Sequence, residues 1–158
     1  AMAPAAPVAG LTLAFADPAW TGVTVPAGQQ CRMFGGAGAT PAISVSGIPA
    51  GTTDVIVEFN DRGYRPLSTD GGHGKIGYRL TPGTTTTVLA SVPGETADVP
   101  APAYVERRNR ASGSYARPGY LPPCSGGRGN PYFAVVKAVD KAGGGAVLAQ
   151  GTIELGRY

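Results

Sequence analysis

The sequence predicts an all-β protein, an antiparallel two-sheet sandwich with little or no helix. Apolar residues alternate with a period of two in one segment after another, and no stretch sustains a helical period. Glycine and proline turn signals separate the alternating segments. The 158-residue chain carries 25 glycines and 15 prolines, a share that approaches the disordered range, but 42% hydrophobic residues supply enough apolar surface for a core.

The elements follow in order. Residues 1–10, AMAPAAPVAG, are Ala/Pro-rich and read as a flexible lead-in, of the kind left by a removed signal peptide or a cloning remnant. A single domain is expected over residues 11–158. Leu11, Leu13 and Phe15 alternate with Thr12 and Ala14. Ile43 and Val45 form a strand that exits through Ser46–Gly51. Val55, Val57 and Phe59 share one strand face, with Ile56, Glu58 and Asn60 on the other. Ile76, Tyr78 and Leu80 alternate with Lys75, Gly77 and Arg79, and Thr84–Val92 is rich in β-branched residues. The weakly patterned Pro93–Pro123 stretch is expected to be irregular, with at most a turn or two of helix near Val105–Asn109. Phe133, Val135 and Val139 oppose Tyr132, Ala134, Val136 and Ala138, and Ala146–Leu155 supplies the last strand.

Charge and cysteine usage narrow the function classes. A net charge of +3 is far from a nucleic-acid footprint. Arg107, Arg108, Arg110, Arg117 and Arg128 crowd one region, either as a solvated face or as an anion-attracting rim. No apolar run approaches transmembrane length. Cys31 and Cys124 have neither metal-site spacing nor a C-x-x-C pattern, so they read as one disulfide. It would close a loop of about 94 residues, worth roughly 4–5 kcal/mol in the chain-entropy model. A disulfide implies an oxidising compartment, and a secreted or periplasmic location is expected. An enzyme is a poor fit: the single histidine lies in a glycine-rich loop, and there is no G-x-S-x-G elbow. Gly71–Lys75, GGHGK, lacks the spacing of a phosphate loop. His73, Asp61 and Asp70 lack metal-ligand spacing, and no metal or cofactor is implied.

Four blocks carry a family resemblance. Cys31 is followed by GGAGATPAISVSGIPAGT (Gly35–Thr52). VIVEFND (Val55–Asp61) leads toward what would be an Asp-Pro-Asp motif. RNRASGSYARPGYLPPCSGGRGNPYFAVVKAVD (Arg108–Asp140) places Pro-Pro-Cys and Tyr-…-Ala-Val-Asp at a specific separation, and VLAQGTIELGRY closes the chain. Over residues 31–158 the chain resembles the phosphatidylethanolamine-binding protein family, which includes the Raf kinase inhibitor protein, and most closely its secreted bacterial branch. The resemblance implies a β-sandwich with a small anion pocket near one edge, lined by an Asp, two histidines and a Tyr. It also implies binding of phosphate, a phosphorylated head group or a carboxylate, or inhibition of a partner protein, with no catalysis.

Residue by residue, the resemblance assigns the pocket to Asp61, Asn130, Tyr132 and either His73 or Lys75. The motif's proline and second Asp are replaced by Arg62 and Gly63. One family histidine falls on Lys75, with His73 two residues before it, and the other falls on Asn130. An amide, a phenol and a cation would donate to an anion, and the backbone N–H groups of Ser125–Gly129 are candidates for an anion nest. The alternative reading is a structural or protein-interaction sandwich whose pocket is inert, with Pro93–Pro123 making the contacts.

Overall fold

The computed structural model describes residues 8–158. Among them, nine strands form two sheets: β1 (Ala9–Gly10), β2 (Thr12–Phe15), β3 (Ile43–Ser46), β4 (Asp54–Asp61), β5 (Lys75–Arg79), β6 (Thr86–Leu89), β7 (Ala103–Arg107), β8 (Pro131–Asp140) and β9 (Ala146–Arg157). The larger sheet runs β1-β9-β8-β4-β5-β7 and the smaller β2-β3-β6. Three single-turn 3-10 helices, Arg32–Phe34, Arg65–Leu67 and Gly113–Tyr115, are the only helical pieces among the described residues.

Alternation builds the core. Val55, Val57 and Phe59 of β4, Ile76 and Tyr78 of β5, and Tyr132, Ala134 and Val136 of β8 meet Ile43, Val45 and Leu89 of the smaller sheet. β4 is buried along its whole length because β5 and β8 flank it, and its reverse face is covered as well. There Glu58 sits 3.1 Å from each of the Lys75 and Lys137 amines, so the buried carboxylate is paired. Phe133, on the same face, lies under the Arg62 guanidinium, 3.8 Å from its ring centroid.

Two expectations are corrected here. Ala9–Gly10, expected within the lead-in over residues 1–10, pair in parallel with Ala149–Gln150, so the fold is not wholly antiparallel; residues 1–7 of that expectation lie outside the described residues. The helical turn expected near Val105–Asn109 is instead β7, an edge strand pairing with β5. Its Val-Glu-Arg-Arg stretch has helix-compatible propensity, but pairing with an open sheet edge outweighs propensity over so few residues.

Candidate functional site

Four segments converge at one end of the sandwich. β4 and β8 are in register with Asp61 opposite Tyr132, so the acid ending one strand and the phenol opening the other are neighbours by topology. The 119–124 loop is fastened across them. The Leu121 N–H donates to the His73 carbonyl at 2.9 Å, and the Cys124 N–H donates to the Tyr132 hydroxyl at 3.2 Å. The Cys31–Cys124 disulfide (Cα–Cα 5.2 Å) ties the fourth segment, around residue 31, to the same corner. With residues 63–67, His73 and residues 110–115 they line an open-mouthed cavity of about 720 Å³, into which Asp61, His73, Asn130 and Tyr132 all face.

Each polar group has a defined setting. Asp61 is nearly buried; its Oδ1 accepts the Gly63 N–H at 2.8 Å and its Oδ2 accepts the Asn130 amide at 3.0 Å. That bond fixes Asn130 with its Nδ2 toward the acid. His73 is positioned by Asn60, whose Oδ1 accepts the N–H groups of Gly71 and Gly72, and by its own N–H bond to the Phe59 carbonyl at 2.8 Å. The His73 Nδ1–H donates to the Leu121 carbonyl at 2.7 Å, which leaves Nε2 as the acceptor nitrogen. Burial pushes this imidazole below its usual range, against the upward pull of the Leu121 carbonyl, Asp61 and the Pro122 carbonyl. Its ring stands edge-on to Tyr132 with centroids 5.3 Å apart. Burial also raises the Tyr132 phenol, and nearby Asp61 adds to that, so the hydroxyl stays protonated at neutral pH.

Lys75 does not join them. Its amine lies 2.7 Å from Asp70 Oδ1 and 3.1 Å from Glu58 Oε2, on the reverse face of the sheet. Residues 73 and 75 would share a face of a regular strand, but Gly74 has φ of +107°, and this break in the extended backbone sends the two side chains apart. Asp70 is committed to Lys75 and Arg107, which hold its carboxyl down at about 2. The nest expected at Ser125–Gly129 is partly spent: the Arg128 N–H donates to the Ser125 carbonyl and the Gly129 N–H to the Tyr158 carbonyl.

The structure adds residues that the sequence pattern did not place in the site. Arg110 and Arg128, of the crowded arginines, both line the cavity. Arg110 is structural: its guanidinium donates to the carbonyls of Pro66, Thr69 and Asp70 and so pins that loop. Arg128 lines the wall, and among the described residues its guanidinium has no partner. Phe34, Tyr64 and Tyr115 stand at the exposed side of the cavity. They lie in non-periodic loops, where no sequence pattern assigns them a direction.

Two packed sheets with nothing longer than a single helical turn among the described residues make an all-β sandwich, and its likeness to a solved structure makes the fold phosphatidylethanolamine-binding-protein-like. The chain is similar in fold to a crystal structure assigned as a phosphatidylethanolamine-binding protein homolog from Chlamydia trachomatis, with a TM-score of 0.58 over 94% of this chain and 97% of that one, at 18% sequence identity. No family model and no curated protein matches the chain. No helix among the described residues is long and apolar enough to cross a membrane.

Proposed function

We propose that the protein is a non-catalytic binding protein that takes a small anionic or phosphorylated ligand into the Asp61–Tyr132 cavity. The observation that carries this reading is the convergence of Asp61, His73, Asn130 and Tyr132 on one cavity that the Arg128 guanidinium also lines. Arg128 supplies the charge and a planar fork suited to phosphate or carboxylate oxygens. The neutral His73 and Tyr132 supply polar contacts without a second cation. Asp61 orients Asn130 and offers a carboxylate to an ammonium, so a zwitterionic head group with its ammonium on Asp61 and its phosphate on Arg128 also fits the charge pattern. The disulfide supports placing this function in a secreted or periplasmic setting. A partner protein regulated through this corner is compatible with the same site.

Isothermal titration of phosphate, acetate and phosphoethanolamine tests the reading. Phosphoethanolamine is expected to bind most tightly, Arg128→Ala to weaken phosphate by about tenfold, the cost of a lost charge-assisted bond, and Asp61→Asn to remove the preference for the zwitterion. Absence of binding by all three anions to the unaltered protein would overturn it.

A further inference from the structure

We infer that the outer half of this cavity is an aromatic vestibule, and that the ligand class is an anion bearing a flat apolar ring, an aryl phosphate or aryl carboxylate. The inference rests on the anion reading above and names the body of the ligand.

Size is the first argument. A cavity of about 720 Å³ has room for roughly two dozen waters at about 30 Å³ each. It falls in the range of pockets that take drug-sized molecules. A phosphate or acetate would occupy only a small part of it.

The second argument is what lines the remainder. Each of the three 3-10 turns delivers one aromatic ring to the mouth: Phe34 ends the first, Tyr64 caps the second and Tyr115 ends the third. All three are substantially exposed, at 36%, 52% and 39%. Rings left in water at a cavity mouth gain by stacking on a flat partner.

Third, the turns are fastened from behind. Cys31 anchors the Phe34 turn through the disulfide, and the Phe34 ring lies so close over Gly126 that a Cβ there would come within 3.1 Å of it. Arg110 pins the Tyr64 turn through the Pro66 and Thr69 carbonyls. Glu95, a buried carboxylate, accepts the Arg32 N–H at 3.0 Å and lies 3.9 Å and 3.8 Å from the Arg32 and Arg117 guanidinium nitrogens, so one acid links the Phe34 and Tyr115 turns. Walls held in place before binding lose little freedom on binding. Arg128 lines the same cavity and is exposed like the three rings, so the anionic group pairs with its guanidinium while the flat ring stacks on Phe34 and Tyr115.

The experiment compares matched probes by calorimetry: phosphate with phenyl phosphate, and acetate with benzoate. Each ringed probe is expected to bind about tenfold tighter than its ringless partner, the order that stacking on one or two rings supplies. In Phe34→Ala/Tyr115→Ala the ratio should fall to near one, with circular dichroism showing a folded chain. Phosphate binding without any ring advantage would overturn the vestibule and leave the anion reading standing. A ring advantage that survives the double substitution would also overturn it. No binding by any of the four probes would overturn both. Ringed probes bound through Phe34 and Tyr115 but indifferent to Arg128→Ala would keep the vestibule and overturn the anion reading.

Discussion

His73 is held as a neutral imidazole by its surroundings, and this has a consequence for stability. Burial is the dominant influence, and the Leu121 carbonyl, Asp61 and the Pro122 carbonyl oppose it without overcoming it. The folded chain therefore binds a proton here less readily than the unfolded chain, whose histidine titrates near 6.5. Between that value and the lower folded pKa, the unfolded state carries more protons, so stability is full above about pH 6.5 and declines as pH falls below it. Urea unfolding from pH 7 to pH 5 should show the decline. His73→Asn, which keeps a side-chain donor for the Leu121 carbonyl, should flatten it; equal slopes in the two proteins would exclude His73 as the source. The same residue marks how far the sequence could be read. That Asp61, Asn130 and Tyr132 would meet at one cavity was legible through the family resemblance, which gives each a fixed place in a motif. The choice between His73 and Lys75 was not, because it depends on a single left-handed backbone torsion at Gly74 that any glycine permits and none announces.

At the scale of elements, β5 and β7 show why pattern identifies strands better than it identifies their edges. β3, β4, β5, β8 and β9 were legible from alternation, since each buries a period-two face. β7 was not: only Ala103 of its five residues is buried, and an edge strand with few inward side chains leaves little periodic signal. What seats β7 is Tyr104, whose ring lies across Gly77 of β5. The hydroxyl donates to the Asp54 carboxylate, and Lys141 sits over the ring face at 4.8 Å from its centroid. Burial and the Asp54 carboxylate push this phenol up to about 12. A Cβ at Gly77 would lie 2.3 Å from the Tyr104 Cζ atom. Gly77→Ala should therefore destabilise by about 1–3 kcal/mol, as overpacking does. In a Tyr104→Ala background the same change should be neutral or stabilising, because alanine restricts the unfolded chain more than glycine. Chemical denaturation of the four proteins of this cycle measures the coupling, and additive effects would show that the ring and the glycine do not share the space.

The sandwich as a whole was legible from turn spacing and alternation. The vestibule was not, because Phe34, Tyr64 and Tyr115 come together only after distant loops are fastened. Cys31 and Cys124 could be paired in advance because no other cysteine competes, and the bond joins residues 93 apart in sequence. Such a tether acts mainly on the unfolded chain, which it keeps from exploring conformations with separated ends; for a loop this long the chain-entropy model gives roughly 4–5 kcal/mol, and losses of native disulfides run at about 2–5 kcal/mol. Cys31→Ala/Cys124→Ala should accordingly lower the stability measured in guanidinium by about 2–5 kcal/mol. It should also raise the m-value, since the untethered denatured state exposes more surface. In the unaltered protein, thiol titration under denaturing, non-reducing conditions should find no free cysteine, and reductant should reproduce the shift in midpoint. A midpoint lowered with m unchanged would place the loss in the folded corner instead, where Cys31 donates its N–H to the Pro123 carbonyl and Cys124 to the Tyr132 hydroxyl. The m-value thus separates a bond that limits the unfolded chain from one that props the cavity wall.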